Sequence, residues 1–290
     1  MSMLLCFGLG FSAKTLGRRL LADGRRVAGT ARSAEACARA EQEGFECALF
    51  DGESRSVEAA ELASEASHIL VSIPPVEEGD AALGLHGEDL AASQNLKWIG
   101  YLSTVGVYGD WDGAWVDETS DPRPIGPRSQ RRLAAERAWL EFGESHALAT
   151  HVFRLPGIYG PSRNALATLK AGKARRVAKP GQVFNRVHVG DIASALALSM
   201  AQPRAGAIYN VCDDEPAPPQ DVIAYAAELL GVEPPPEVAF EDADLSPMGK
   251  SFYGECKRVS NARIKADLGF EPAYPSYREG LKALMGTEGA

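Results

Sequence analysis

The stretch that most constrains this chain is residues 3–21, MLLCFGLGFSAKTLGRRLL. Leu4, Leu5, Cys6 and Phe7 read as a short buried strand, and a helix follows a glycine turn. The turn Gly8-Leu9-Gly10-Phe11-Ser12-Ala13 fits G-x-G-x-x-G/A in the strand–turn–helix setting that the pattern requires. Gly8 permits the tight turn, Gly10 lets a pyrophosphate approach the backbone, and Ala13 lets the helix pack close to the strand. Phe11 and Ser12 open that helix, whose free N–H groups and positive dipole end point at the phosphates. Gly8, Gly10, Phe11, Ser12 and Ala13 are therefore the candidate diphosphate cradle, against the alternative of an ordinary turn.

The pattern then repeats as strand and helix. Strands are predicted at 26–32, 45–50, 68–73 and 97–103, with helices at 33–43 and 57–66 and a crossover at 79–94. Such alternation implies an α/β fold with a doubly wound parallel sheet of the Rossmann kind, whose ligands gather beyond the strands' carboxyl ends. Arg32 closes the second strand about twenty residues past the glycines, where NAD enzymes place an acid for the ribose 2′-hydroxyl. A guanidinium there suits a 2′-phosphate instead, so NADP is expected over NAD. Ser33 adds a hydroxyl beside the same phosphate; a solvated loop arginine is the alternative for Arg32. Asp51, at the third strand's end, either accepts from the adenine amino group or caps the next turn. Ile73 and Pro74 close the fourth strand at the cofactor edge, since Pro74 and Pro75 cannot continue a central ladder.

Composition narrows the partners. The 290 residues carry a net charge of −9 without a basic tract, which argues against nucleic acid. Five scattered cysteines without a C-x-x-C fit reduced thiols in a cytoplasm. No leader or membrane span is read, and the contiguous acids Asp213, Asp214 and Glu215 are read as solvated, with no metal site.

After the fifth strand come Ser103-Thr104-Val105-Gly106-Val107-Tyr108-Gly109, then Asp117-Glu118 and Pro122-Arg123-Pro124. Arg154-Leu155-Pro156-Gly157-Ile158-Tyr159-Gly160-Pro161, Val187-His188-Val189-Gly190-Asp191-Ile192-Ala193, Tyr209-Asn210-Val211 and Lys257-Arg258-Val259-Ser260-Asn261 follow in order. Together these resemble the extended short-chain dehydrogenase/reductase superfamily, of nucleotide-sugar epimerase/dehydratase type. The resemblance implies a Rossmann domain over 1–155 plus about 188–213. It implies a smaller C-terminal α+β substrate lobe over about 156–187 plus 214–290, with Pro156 beside the cofactor and often a homodimer; a monomer stays open.

The pattern breaks at the Y-x-x-x-K that carries the superfamily's proton transfer. Aligned on Glu136, those positions hold Arg128 and Arg132, one helical turn apart. Arg132 retains a charge for ribose hydroxyls, but a guanidinium does not exchange protons near neutrality. The resemblance is thus to an atypical, divergent branch. Tyr108 is the candidate general acid, with substrate-pocket wall as its alternative; Ser103 and Thr104 are candidate donors to a substrate carbonyl. Arg128 is the candidate clamp for an anionic group, or else a surface charge. Lys173, Arg175, Arg176, Lys179 and Arg186 are either further anion contacts or a solvated edge. Two functions follow. One is an NADP-dependent oxidoreductase or epimerase-like enzyme acting on a small carbonyl, alcohol or sugar-type substrate. The other is a non-catalytic NADP-binding redox sensor or scaffold.

Overall fold

The computed structural model describes residues 2–287. The chain begins as β1 (Met3–Phe7), α1 (Phe11–Ala22), β2 (Arg26–Ala31), α2 (Ala34–Gln42), β3 (Glu46–Leu49), α3 (Val57–Glu65), β4 (His68–Val71), α4 (Ala81–Ala92) and β5 (Trp98–Thr104). It continues through β6 (Trp115–Val116), α5 (Pro127–Ser145), β7 (Ala149–Leu155), β8 (Gly157–Tyr159), α6 (Ala165–Lys170), β9 (Arg176–Ala178), β10 (Arg186–His188), α7 (Val189–Ala201) and β11 (Ala207–Asn210). Then follow α8 (Pro219–Leu230), β12 (Glu237–Ala239), α9 (Pro247–Phe252), β13 (Arg258–Val259), α10 (Ala262–Leu268) and α11 (Tyr277–Thr287).

Two compact units result. The first holds the chain up to Thr104, Gly126–Arg154 and Ile192–Tyr209; the second holds Val105–Ile125, Leu155–Asp191 and the chain from Asn210 on. Residues 105–125, expected in the nucleotide domain, thus belong to the second unit. The reason is local: β6 pairs with β13, and Trp111 N–H donates to Cys256 O at 3.0 Å.

The first unit is built on a seven-stranded sheet of order β11-β7-β5-β4-β1-β2-β3. The pairs β1–β2, β2–β3, β1–β4 and β4–β5 are parallel, as expected. Strands covered on both faces read as continuous apolar runs, and β1 is buried throughout. On one face Leu5, Ile69, Ile99 and Tyr101 pack with Ala63, Leu90 and Trp139 of α3, α4 and α5. On the other, Trp98 Nε1 donates to Ser199 of α7 at 3.0 Å. Ser33, Ser56 and Asp80 start α2, α3 and α4 by accepting from backbone N–H groups three residues on. Because strand order reverses about β1, the crevice beyond β1 and β4 is the place for a ligand.

The second unit contains three short parallel pairs, β6–β13, β8–β10 and β9–β12. An apolar cluster in it joins Leu166, Val222, Ala226, Leu281 and Leu284. The sequence alone reads 172–189 as a small hairpin or loop pair, Asp191 as the cap of a helix over 192–202 and Asn261 as the cap of a helix over 262–268, and all three need correction. The segment 172–189, read as a hairpin or loop pair, is neither: β9 and β10 each pair elsewhere, and Arg176 ties β9 to Glu237 of β12 at 3.1 Å. Asp191 does not cap α7 but accepts from the N–H groups of Ala273 (2.8 Å) and Tyr274 (3.2 Å). Asn261 uses its side chain on Cys212 O and Asp214, not on α10. Gly231 and Gly269 do end α8 and α10 in the left-handed region expected of them.

Candidate functional site

The glycine turn lies at the switch point. Gly8 has φ +92°, and a Cβ there would lie 2.7 Å from Cγ2 of Ile73, just past β4. Both observations demand glycine. Gly8 N–H donates to Thr30 Oγ1 at 2.9 Å and Leu9 N–H to Thr30 O at 3.2 Å, so β2 fixes the turn. Thr30 has no place among the sequence-derived candidates; a buried threonine in an apolar strand was the available signal. Gly10 is the extended N-cap of α1 and supplies no side chain to its first turn. A Cβ on Gly10 would meet only Ser72 Oγ, at 3.8 Å, so it would project into open space before the helix. Ser12 and Ala13 are buried, and Phe11 is half-buried. An uncapped helix end behind a bare backbone is the cradle that a diphosphate fits.

Arg32 follows β2 directly and is exposed. Ser33 Oγ accepts from Ala36 N–H at 3.3 Å as the α2 cap, and the Glu35 carboxyl is held below the usual range by its own backbone N–H and then by Ser33. Asp51 takes the second of its two expected roles, accepting from Glu53 N–H at 2.9 Å. Pro74 is exposed beyond β4, while Pro156 is half-buried between β7 and β8.

Beyond β5 the expected hydroxyls and charges are drawn into structure. Ser103 is buried and its Oγ donates to Glu136 Oε1 of α5. Glu136, 1% exposed, also pairs with Arg154 of β7, 3% exposed, at 2.8 Å. This corrects the role given to Ser103: a donor already committed to a buried carboxylate is not offered to a substrate carbonyl. Thr104 is half-buried at the strand's last position. Arg132 is half-buried, donates to Leu102 O, and lies 5.7 Å from the Tyr101 ring centroid. Arg128 is exposed in the first turn of α5, one helical turn before Arg132. Tyr101 is no substitute acid, because its ring is wholly buried and burial raises its pKa further.

Tyr108 also needs correction. Expected to face the cofactor, it is 0% exposed within the second unit, and its hydroxyl donates to Asn210 Oδ1 at 2.8 Å. Asn210 N–H donates to Glu118 Oε1 at 2.7 Å, and Asn210 Nδ2 to Ser260 O at 3.1 Å. Asn210 thus ties together the V-Y-G, D-E and K-R-V-S-N segments. Burial raises the Glu118 carboxyl, while hydrogen bonds from Thr119 hold Asp117 low. Most of the basic residues of 173–186 are spent locally. Lys179 donates to Tyr253 O at 2.5 Å, Arg175 to Asp244 O, and half-buried Arg186 to Phe184 O (2.8 Å) and Ala217 O (3.0 Å). His188 accepts from Gly190 N–H at 3.1 Å, and burial lowers its pKa to about 4. A cavity of about 390 Å³ in this unit is lined by Ala178–Val183, Pro218, Gln220, Glu237 and Arg258. Among the described residues, no group of three or more His, Cys, Asp or Glu side chains is arranged to hold a metal. No described helix is long and apolar enough to cross a membrane.

A parallel doubly wound sheet with a glycine cradle at its switch point defines a dinucleotide-binding α/β protein. The chain belongs to the NAD dependent epimerase/dehydratase family, whose pattern matches residues 7–212. It is similar to a functionally unknown conserved protein from Silicibacter pomeroyi DSS, at 48% identity and a TM-score of 0.90 over 100% of both chains. Protein YeeZ of Escherichia coli (strain K12) is 29% identical over 92% of this chain and 94% of its own. The GDP-6-deoxy-D-mannose reductase of Pseudomonas aeruginosa is 28% identical over 64% of each.

Proposed function

We propose that this chain is an NADP-dependent oxidoreductase or epimerase-like enzyme acting on a small hydroxylated substrate, with an anionic group in its preferred form. The observation that carries this is the cradle itself: Gly8 and the bare N-cap Gly10 beneath α1, with exposed Arg32 where a 2′-phosphate would lie. Gly8, Gly10 and the first turn of α1 would hold the diphosphate, Arg32 the 2′-phosphate, and Ile73 and Pro74 the flank. The bound nicotinamide supplies hydride chemistry. The chain's own part is to orient substrate and meet charge on its oxygen, for which Thr104 and Arg132 are the candidates left near the end of β5. Arg128 is the candidate clamp for a carboxylate or phosphate. A sugar-type ligand also suits the cavity of the second unit, where Gln182 is fixed through Nε2 on Glu255 O at 2.8 Å and turns an amide oxygen free for a hydroxyl. The relative that reduces a GDP-sugar, by its name, supports the same substrate class.

A second reading is favoured by one specific observation. The tyrosine slot holds Arg128, and Tyr108, the substitute, is buried on Asn210. A non-catalytic NADP-binding sensor needs no proton donor. Calorimetry with NADP and NAD comes first. NADP is expected to bind at least tenfold tighter, and Arg32→Ala to erase the difference. Failure of both to bind at millimolar concentration overturns the proposal. Nicotinamide absorbance with carbonyls, alcohols and nucleotide sugars then separates the two readings: turnover supports the enzyme, and binding without turnover the sensor.

A further inference from the structure

Beside Arg32, α2 and the edge strand β3 bring two thiols together. The sulfurs of Cys37 and Cys47 lie 2.7 Å apart, and neither is in a disulfide. Cys37 is buried on α2, four residues past the Ser33 cap, and Cys47 is half-buried on β3, level with Gly29 of β2. Burial and the contact with Cys37 push the Cys47 thiol up to about 12, so its S–H persists and donates to the Cys37 sulfur. That donated S–H gives Cys37 a hydrogen-bond donor when it acts as the attacking thiolate. No other cysteine has this setting. Cys6 and Cys212 are buried, and Cys256 contacts Gly181 O at 3.4 Å. The function proposed above uses neither Cys37 nor Cys47.

We propose that Cys37 and Cys47 form a reversible redox modification site, oxidised by a low-molecular-weight disulfide such as oxidised glutathione. The resulting intramolecular disulfide staples α2 to β3 next to Arg32. Cys37, having given its proton to solvent, attacks one glutathione sulfur; the glutathione S–S bond breaks and one glutathione thiolate leaves and is protonated. Cys47 then loses its proton and attacks the Cys37 sulfur of the mixed disulfide, expelling the second glutathione, which is protonated in turn. Two protein thiols and one glutathione disulfide become one protein disulfide and two glutathione thiols. The link closes a short loop across an edge strand and holds the first turns of α2, the helix that Arg32 and Ser33 introduce. Only its effect on NADP rests on the role proposed for Arg32.

The test uses the native full chain incubated with oxidised glutathione. Intact mass is expected to fall by two hydrogens with no glutathione retained, and peptide mapping to join Cys37 to Cys47. The linked protein is expected to melt a few degrees higher, a shift that dithiothreitol reverses. Cys37→Ser and Cys47→Ser should each show neither the mass loss nor the shift. Mixed disulfides that persist on separate cysteines overturn the proposal, as does a link that forms only in denaturant, or one without a rise in melting temperature. Calorimetry with NADP on the reduced and the oxidised protein reads the Arg32 role separately, so its failure leaves the mapped disulfide standing.

Discussion

Each unit holds a buried polar hub, and the two hubs differ in charge. In the first, Glu136 is ionic: Arg154 pairs with it at 2.8 Å and Ser103 donates to it. In the second, Asn210 is neutral: Tyr108 donates to it at 2.8 Å, and it donates to Glu118 at 2.7 Å and Ser260 O at 3.1 Å. The contrast teaches that hydroxyls drawn into such hubs, Ser103 and Tyr108, hold segments together and are not thereby catalysts. A charged hub fails harder than a neutral one when its centre is removed. The ionic hub leaves a buried guanidinium uncompensated, whereas the neutral hub leaves groups that lose hydrogen bonds.

The largest expected effect is therefore at Glu136. Glu136→Ala should destabilise the protein by ~3–5 kcal/mol in urea unfolding, because Arg154 stays buried without its carboxylate. A loss under about 1 kcal/mol would be that of an exposed pair and would break the comparison. Asn210→Ala should cost less, on the order of 2–3 kcal/mol, since the Tyr108 hydroxyl and Ser260 O each lose one neutral partner, while the backbone N–H at 210 still reaches Glu118.

Asp213, near the neutral hub, sharpens the contrast through pH. Read from sequence as solvated with Asp214 and Glu215, it is instead 3% exposed, and burial outweighs the Arg186 charge and the Glu215 amide, with Asp214 and Glu215 adding repulsion. Its carboxyl is pushed up to about 8 from 3.8. The folded chain therefore keeps a proton that the unfolded chain releases. The stability this group supports is full below its unfolded pKa and is lost as pH rises toward about 8. Asp213→Asn removes that loss, so the variant should gain on the natural chain by about 3–4 kcal/mol between pH 5 and pH 8. Equal urea midpoints for the two at pH 8, after equal midpoints at pH 5, would show a group already ionised in the fold.

How far the sequence foretold this follows from what each feature depends on. The strand–helix alternation and the cradle are local, so Gly8, Gly10 and Ala13 were legible from spacing, and the parallel sheet followed. The end of β4 just before Ile73 was legible too, because Pro74 and Pro75 cannot continue a central strand. Hub membership is not local. Ser103 meets a residue 33 positions on, and Tyr108 one 102 positions on. Both sit in a motif that looks like active-site chemistry, and nothing near them in sequence shows that their hydroxyls point inward. Asp191 and Asn261 misled in the same way, since a cap is the nearest use for such a side chain and distant backbone claimed both. The short strands β6 and β8 lay below any periodicity signal.

The smallest expected effects decide most about function. Ser103→Ala and Tyr108→Phe each delete one hydroxyl and leave the surrounding packing in place. Losing a donor to the ionic Glu136 should cost ~1.5–2 kcal/mol, and losing one to the neutral Asn210 about 1 kcal/mol. Binding of NADP should be unchanged in both variants, because neither hydroxyl belongs to the glycine cradle. If the protein turns over a substrate, Tyr108→Phe should retain its rate within a few-fold, whereas loss of a general acid typically costs ~10²–10⁴-fold. A collapse of that size in a variant that is folded and binds NADP would return Tyr108 to chemistry. A retained rate leaves proton transfer to Thr104, to the arginines' neighbourhood, or to the substrate itself, and makes Thr104→Val the next variant to measure.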